Sequence, residues 1–114
     1  MKPPELESRL WHIAAACEKV LRVTEGRSFE EYAGDDFLPD VVIRQLTIVG
    51  EAVARIARTD PEVAPKLGDY PRIVAFRNQL VHNYPQVNQQ FVWAIVQNEV
   101  PVLLARARTL LAVQ

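Results

Sequence analysis

Cysteine and glycine are scarce in this sequence of 114 residues, which contains one Cys and 4 Gly. A single cysteine, Cys17, excludes an intrachain disulfide and a zinc site built from several thiolates. No Asn-Gly or Asp-Gly dipeptide is present, so tight β-hairpins are not expected. No run approaches the roughly 18 uninterrupted apolar residues that a membrane span needs. Glu5 and Glu7 stand where a secretory signal would be apolar, which together with the lone cysteine predicts a cytoplasmic protein without a membrane partner.

The charge is close to balanced, with 13 Lys+Arg against 14 Asp+Glu and a net charge of −1. With 49% hydrophobic and 24% charged residues, the composition is that of one globular domain over residues 1–114. A protein that coats nucleic acid would be far more basic, so any contact with RNA must be local. Ten of the 13 basic residues are Arg, a side chain suited to bidentate phosphate contacts, although a compositional preference for Arg would give the same count.

Apolar residues recur at steps of three and four over two long segments, the spacing of a buried helix face. The first segment begins after Pro3-Pro4 and ends near Gly26, and the second runs from about Asp40 to Thr59. Between them, Ser28-Phe29-Glu30-Glu31 forms a capping box that predicts a short helical turn. The expected core positions are Leu6, Leu10, Ile13, Cys17 and Val20 in the first segment and Val42, Leu46, Val49, Val53 and Ile56 in the second.

The second half of the chain predicts two further helices. Pro71 suits the first turn of one, and Pro85 ends it because the residue before a proline is pushed out of the α region. The last segment runs from about Asn88 to Val113, where Pro101 is expected to introduce a kink. Four substantial helices joined by short links predict an all-α, up-down bundle of four to five helices with a kinked C-terminal helix.

The segment from Arg77 to Pro85 has the side chains best suited to chemistry. An Arg and a His are sufficient for RNA cleavage without a metal, because the RNA supplies its own 2′-hydroxyl nucleophile. His82 can exchange a proton, while Arg77 can stabilise charge on the phosphoryl group in the transition state. The competing interpretation is structural: a His near the end of a helix can simply bond to a terminal carbonyl.

On an ideal helix Arg77 and His82 point about 140° apart, so they do not lie side by side. They can converge if the helix unwinds before Pro85, or if two copies face each other across a dimer axis. Asn78 lies about 40° from His82 and is placed to orient it. Tyr84, next to Pro85, is either a partly exposed phenol open to modification or a ring packed on the bundle.

The string Arg77-Asn78-Gln79-Leu80-Val81-His82-Asn83-Tyr84 resembles the R-x4-H-x-Y signature of the HepT-type toxins of the HEPN superfamily. The resemblance extends to two flanking stretches, Ile48-Val49-Gly50-Glu51-Ala52-Val53 and Phe91-Val92-Trp93-Ala94-Ile95-Val96. In all it covers most of the chain, from the first helix to Pro101-Val102-Leu103.

This resemblance implies a HEPN-like bundle that dimerises so that two motifs form one cleft. It also implies a metal-independent endoribonuclease toxin that needs no cofactor, with Arg77 and His82 as catalytic residues. The implied partners are an RNA substrate and an MntA-type nucleotidyltransferase antitoxin, which silences the toxin by attaching adenylate to Tyr84 and with which higher oligomers can form. Two alternatives stay open: a non-catalytic substrate- or nucleotide-binding partner of a separate nucleotidyltransferase, and a structural dimerisation bundle.

Other candidate residues favour structural roles. Glu51 is either a buried partner for an Arg or a solvent-facing side chain, and Cys17 belongs to the apolar stripe. Trp11 and Trp93 are expected in the core or at a dimer interface rather than as stacking platforms for bases. His12 is expected at the surface. The two histidines lie 70 positions apart with no ligand spacing around them, so no metal site is predicted.

Overall fold

The computed structural model describes residues 2–83 and 86–113, which form an all-α bundle and, over these ranges, contain no β-strand. The six α-helices are α1 (Pro4–Thr24), α2 (Phe29–Gly34), α3 (Leu38–Thr59), α4 (Tyr70–Asn83), α5 (Gln89–Asn98) and α6 (Val100–Ala112). A short 3₁₀ turn, Ala64–Leu67, lies between α3 and α4. The predicted fold class is therefore confirmed, with the extra helices coming from the short α2 and from the division of the last segment.

The helix ends follow from local side-chain chemistry. The predicted capping box is present at α2, where the Ser28 hydroxyl accepts from the Glu31 N–H and the Glu31 carboxylate accepts from the Ser28 N–H. The bond from the Ser28 N–H to the Glu31 carboxylate, followed by the contribution of the Ser28 hydroxyl, holds the pKa of Glu31 below its usual value. Helix α3 begins at Leu38, slightly before the predicted start, because Asp35 Oδ2 accepts from the N–H groups of Phe37 and Leu38 at 2.9 Å and 2.7 Å.

The C-terminal segment is interrupted rather than simply bent. Helix α5 ends at Asn98 and α6 begins at Val100, with Glu99 between them. Pro101 therefore stands in the first turn of α6, where a backbone N–H has no acceptor within the helix, so proline removes no hydrogen bond of α6. The Glu99 carboxylate also pairs with Arg72 of α4 at 2.9 Å, which ties the junction to the neighbouring helix.

Helix α1 packs against α3 and α6, and α3 packs against α4. Leu46 and Val53 of α3 are 1% and 0% exposed, as their spacing predicts, and Cys17 is fully buried on α1. Trp11 is 61% exposed, so a core position for it is wrong. It lies outside the stripe of residues that α1 buries. Trp93 is partly buried, with its ring centroid 4.9 Å from that of the buried Tyr32.

Polar contacts show how the helices run. Arg9 near the start of α1 donates to the hydroxyl of Thr59, the last residue of α3, at 3.0 Å, so α1 and α3 are antiparallel. The Lys2 ammonium donates to the Val113 carbonyl beside the same end of the bundle. Leu80 and Val81, near the end of α4, instead line a groove with Asp40 from the first turn of α3. The end of α4 therefore lies at the opposite end of the bundle from Lys2 and Val113.

Candidate active site

Arg77 of α4 packs directly against α3. Its Cβ and Cγ occupy the space that a side chain on Gly50 of α3 would fill: a Cβ built at Gly50 overlaps both atoms. Gly50 sits in the middle of a long helix, where glycine costs about 0.5–1 kcal/mol relative to alanine. Its φ angle is not positive, so the close contact with Arg77, and not backbone conformation, is what requires glycine here.

The Arg77 guanidinium is held from two sides. Its Nη1 donates to Asn78 Oδ1 at 2.8 Å, and its Nη2 lies 3.4 Å from Glu51 Oε1 on α3. The side chain of Arg77 is 30% exposed, so the charged head reaches the surface while its stem is packed between the helices. Its Nε is buried and has no hydrogen-bond partner among residues 2–83 and 86–113.

His82 is exposed and is the second-last residue of α4. Because α4 extends through Asn83, both Arg77 and His82 have helical backbone, and five residues separate them by about 140° and about 7.5 Å along the axis. Unwinding of the helix before His82 is thus not how these residues meet in this structure. The other interpretation, in which Arg77 and His82 meet across the axis of a dimer, stays a prediction.

The structure gives Asn78 a different contact from the one expected. Its side-chain oxygen accepts a hydrogen bond from Arg77, the preceding residue, whereas the sequence places it to orient His82. The bond to Arg77 uses the carbonyl oxygen of the Asn78 amide, and the role of Asn78 toward His82 stays a prediction. Tyr84, the predicted site of modification, lies outside the described residues.

A shallow groove runs along α3 and α4 beside the contact between Glu51 and Arg77. Its walls combine apolar side chains with charged ones on the same face of α3, including Arg44 and Glu51. Glu51 thus lies both at the groove and against Arg77. The lining residues are Asp40, Ile43, Arg44, Thr47, Ile48, Glu51, Leu80 and Val81.

The other candidates have the surroundings of structural residues. His12 is exposed, as predicted, and its ring contacts that of Trp11 at 5.7 Å. Burial, with a smaller contribution from the Glu18 carboxylate, raises the pKa of the Cys17 thiol to about 12, so the group stays protonated and inert. Within residues 2–83 and 86–113, no three His, Cys, Asp or Glu side chains cluster to hold a metal, and no helix is both long and apolar enough to cross a membrane.

Two residues of this site were not assigned to it from the sequence. Glu51 is a partner for an Arg, as one of its two interpretations held, but it is exposed rather than buried. Gly50 carried a signal of its own: a glycine inside a strongly periodic apolar helix usually has a packing reason. The identity of the packed partner, Arg77, depends on how α3 and α4 are aligned, which sequence spacing does not specify.

An all-α bundle with an Arg and an exposed His on one helix is consistent with a ribonuclease that uses acid–base chemistry. Residues 13–110 match the family described as "Ribonuclease HepT-like". The chain therefore belongs to this family of HEPN ribonucleases, as its resemblance implied.

Individual relatives agree with this assignment. The chain is 31% identical over 102 residues to "Putative RNase TTE0752" of Caldanaerobacter subterraneus subsp. tengcongensis, covering 90% of each chain. It is 30% identical over 91 residues to "Probable ribonuclease HepT" of Thermococcus cleftensis, covering 80% of this chain and 82% of the relative. None of the solved structures matches the chain.

Proposed function

We propose that this chain is the endoribonuclease toxin of a toxin–antitoxin pair and that it cleaves RNA without a metal ion, in a cleft formed by two copies. The observation that carries the proposal is the Arg77 guanidinium, fixed at the surface on the same helix as an exposed His82 in a chain of the HepT-like family. We expect the protein to act in the cytoplasm, where its RNA substrate is found.

The residues suit a transesterification in which the RNA attacks itself. The 2′-oxygen loses its proton to a base and bonds to phosphorus, while the bond from phosphorus to the 5′-oxygen breaks and that oxygen takes up a proton. The products are a 2′,3′-cyclic phosphate and a 5′-hydroxyl. His82 can serve as the base or the acid. Arg77 stabilises the added negative charge on the phosphoryl oxygens.

The test is RNA cleavage in EDTA by protein whose intact mass shows no modification. Wild type should cut RNA, and His82→Ala and Arg77→Ala should each lose at least about 100-fold in rate, the scale of general acid–base catalysis. His12→Ala is the matched control, since His12 is the other histidine of the chain and is also exposed. Intact RNA with unmodified wild type would instead favour a non-catalytic partner of a nucleotidyltransferase.

We further propose that Tyr84 is the control point of the toxin. An adenylate on the Tyr84 oxygen would add bulk and negative charge close in sequence to His82, and both effects oppose the binding of an RNA phosphate. The proposed partner is an MntA-type nucleotidyltransferase antitoxin. Incubation with this enzyme and ATP should add an adenylate-sized mass and stop RNA cleavage, whereas Tyr84→Phe should gain no mass and stay active.

A further inference from the structure

We infer that Glu51 is a positioning residue, which holds the Arg77 guanidinium in the orientation that RNA cleavage needs. This inference rests on the proposed function, because it assigns Glu51 a role through Arg77 and not through direct contact with RNA. Glu51 reaches Arg77 from α3, so the pair also fixes the guanidinium relative to a second helix.

The contacts constrain the guanidinium on both terminal nitrogens. Asn78 accepts from Nη1 at 2.8 Å and Glu51 lies 3.4 Å from Nη2, so rotation of the planar group would break one contact or both. A free Arg side chain has considerable rotamer freedom, which must be lost before it binds a phosphate in one geometry. Glu51 and Asn78 order the side chain beforehand, which is the advantage of a preorganised site.

The remaining donors of Arg77 match a phosphate. A guanidinium has five N–H donors, of which one faces Asn78, one faces Glu51 and the Nε–H is buried. Among the residues that the structure describes, one N–H on each terminal nitrogen faces neither side chain, and such donors of a guanidinium can bind phosphate oxygens. Because 51% of the Glu51 side chain is exposed, its role is not that of a core ion pair whose loss would unfold the chain.

The kinetic constants distinguish a positioning role of Glu51 from an effect of its negative charge alone. In Glu51→Ala the guanidinium is free to rotate, so kcat should fall by about 10-fold or more. KM should stay level or fall, because the variant removes a negative charge that repels the RNA phosphate. Glu51→Gln keeps an oxygen acceptor without the charge and should restore kcat to within about threefold of wild type.

Glu18→Ala is the matched control. Glu18 also pairs with an Arg, Arg108, at 3.2 Å, and its side chain is 46% exposed, so it reproduces the type of contact and the exposure of Glu51 away from the candidate site. This variant should keep wild-type kcat, KM and melting temperature. A fall in kcat for Glu51→Ala that is matched by Glu18→Ala, or by a loss of folded protein, would overturn the inference.

A second measurement follows the Arg77 side chain directly. In ¹⁵N-labelled wild type, the Nη protons of Arg77, assigned with Arg77→Lys, should give separate NMR signals because rotation of the group is hindered. These signals should broaden or merge in Glu51→Ala and stay separate in Glu18→Ala. Arg77 signals that do not change in Glu51→Ala would overturn the inference. So would kcat/KM values above wild type for both Glu51 variants, because Glu51 would then be competing with the RNA phosphate for Arg77.

The two readouts keep this inference separate from the proposed function. If wild type cut no RNA, the proposed function would fail. The NMR comparison would still decide whether Glu51 holds Arg77.

Discussion

Gly50 of α3 and Arg77 of α4 lie in direct contact, with the Cβ and Cγ of Arg77 occupying the volume that a side chain at position 50 would need. The candidate catalytic arginine therefore depends on a residue with no functional group. Gly50 contributes only by its lack of a side chain, which lets the two helices meet closely enough for Glu51 to reach the guanidinium.

Replacing this glycine should damage the protein despite the better helix propensity of alanine. Gly50→Ala forces α3 and α4 apart or displaces Arg77, and overpacking of this kind costs about 1–3 kcal/mol. We expect a lower free energy of unfolding in urea and at least about a tenfold loss of RNA cleavage.

Gly34→Ala is the control for this substitution. Among the described residues, and apart from the chain neighbours and the backbone of α2 itself, no atom lies within 4 Å of a Cβ built at Gly34, so alanine should be neutral or slightly stabilising there. A Gly50→Ala variant as stable and active as Gly34→Ala would mean that the contact with Arg77 is easily relieved.

The angle between Arg77 and His82 on α4 predicts that the active site is shared between two copies. Arg77→Ala and His82→Ala should each be inactive alone, yet a mixture should recover activity. Equal amounts that exchange freely give half heterodimers, each with one intact Arg–His pair out of two, so about a quarter of wild-type activity is expected. The measurement is RNA cleavage after the two variants are unfolded and refolded together. No recovery, with heterodimers verified by mass spectrometry, would place both residues in a site within one chain.

Leu46 should be among the residues on which stability depends most. It is 1% exposed and also lines a cavity of about 240 Å³ bounded by α3, α4, α5 and α6. Leu46→Ala should lower the free energy of unfolding by about 2–5 kcal/mol, measured by urea denaturation, because the neighbouring space is enlarged and not refilled. A loss below about 1 kcal/mol would mean that the surrounding helices collapse onto the truncated side chain.

Cys17 should be unreactive in the folded protein. Its thiol has a pKa near 12 when folded against 9.0 for an exposed thiol, so at pH 8 a disulfide reagent such as DTNB should modify it only after denaturant is added. The same shift favours the folded state below pH 9, and this contribution is lost as the pH rises from about 9 toward 12. Rapid labelling of native protein at pH 8 would show that α1 opens readily.

Much of the fold was predictable because its signals are local. The stripes on α1 and α3 and the capping box at Ser28 each depend on residues within one or two helical turns of each other. The start of α3 was harder to place, since Asp35 caps it from outside the apolar pattern.

The candidate site was predictable in its residue types and not in its contacts. Arg77 and His82 were singled out by their side-chain chemistry and by the family signature, and their catalytic role stays a prediction. The partners of Arg77 were not, because Glu51 is 26 positions away and approaches only through the alignment of α3 with α4. Trp11 shows the opposite limit: a large aromatic residue suggests burial, but its place on the outer face of α1 leaves it exposed.

The contact between Lys2 and Val113 has a practical consequence for experiments on this protein. The end of the bundle at which these residues meet is the one farther from the end of α4, and the molecule measures 44 Å along its longest axis. An affinity tag or fluorophore joined at either residue would therefore lie away from His82. Protein immobilised on a sensor surface through such a tag would present Arg77 and His82 to RNA in free solution.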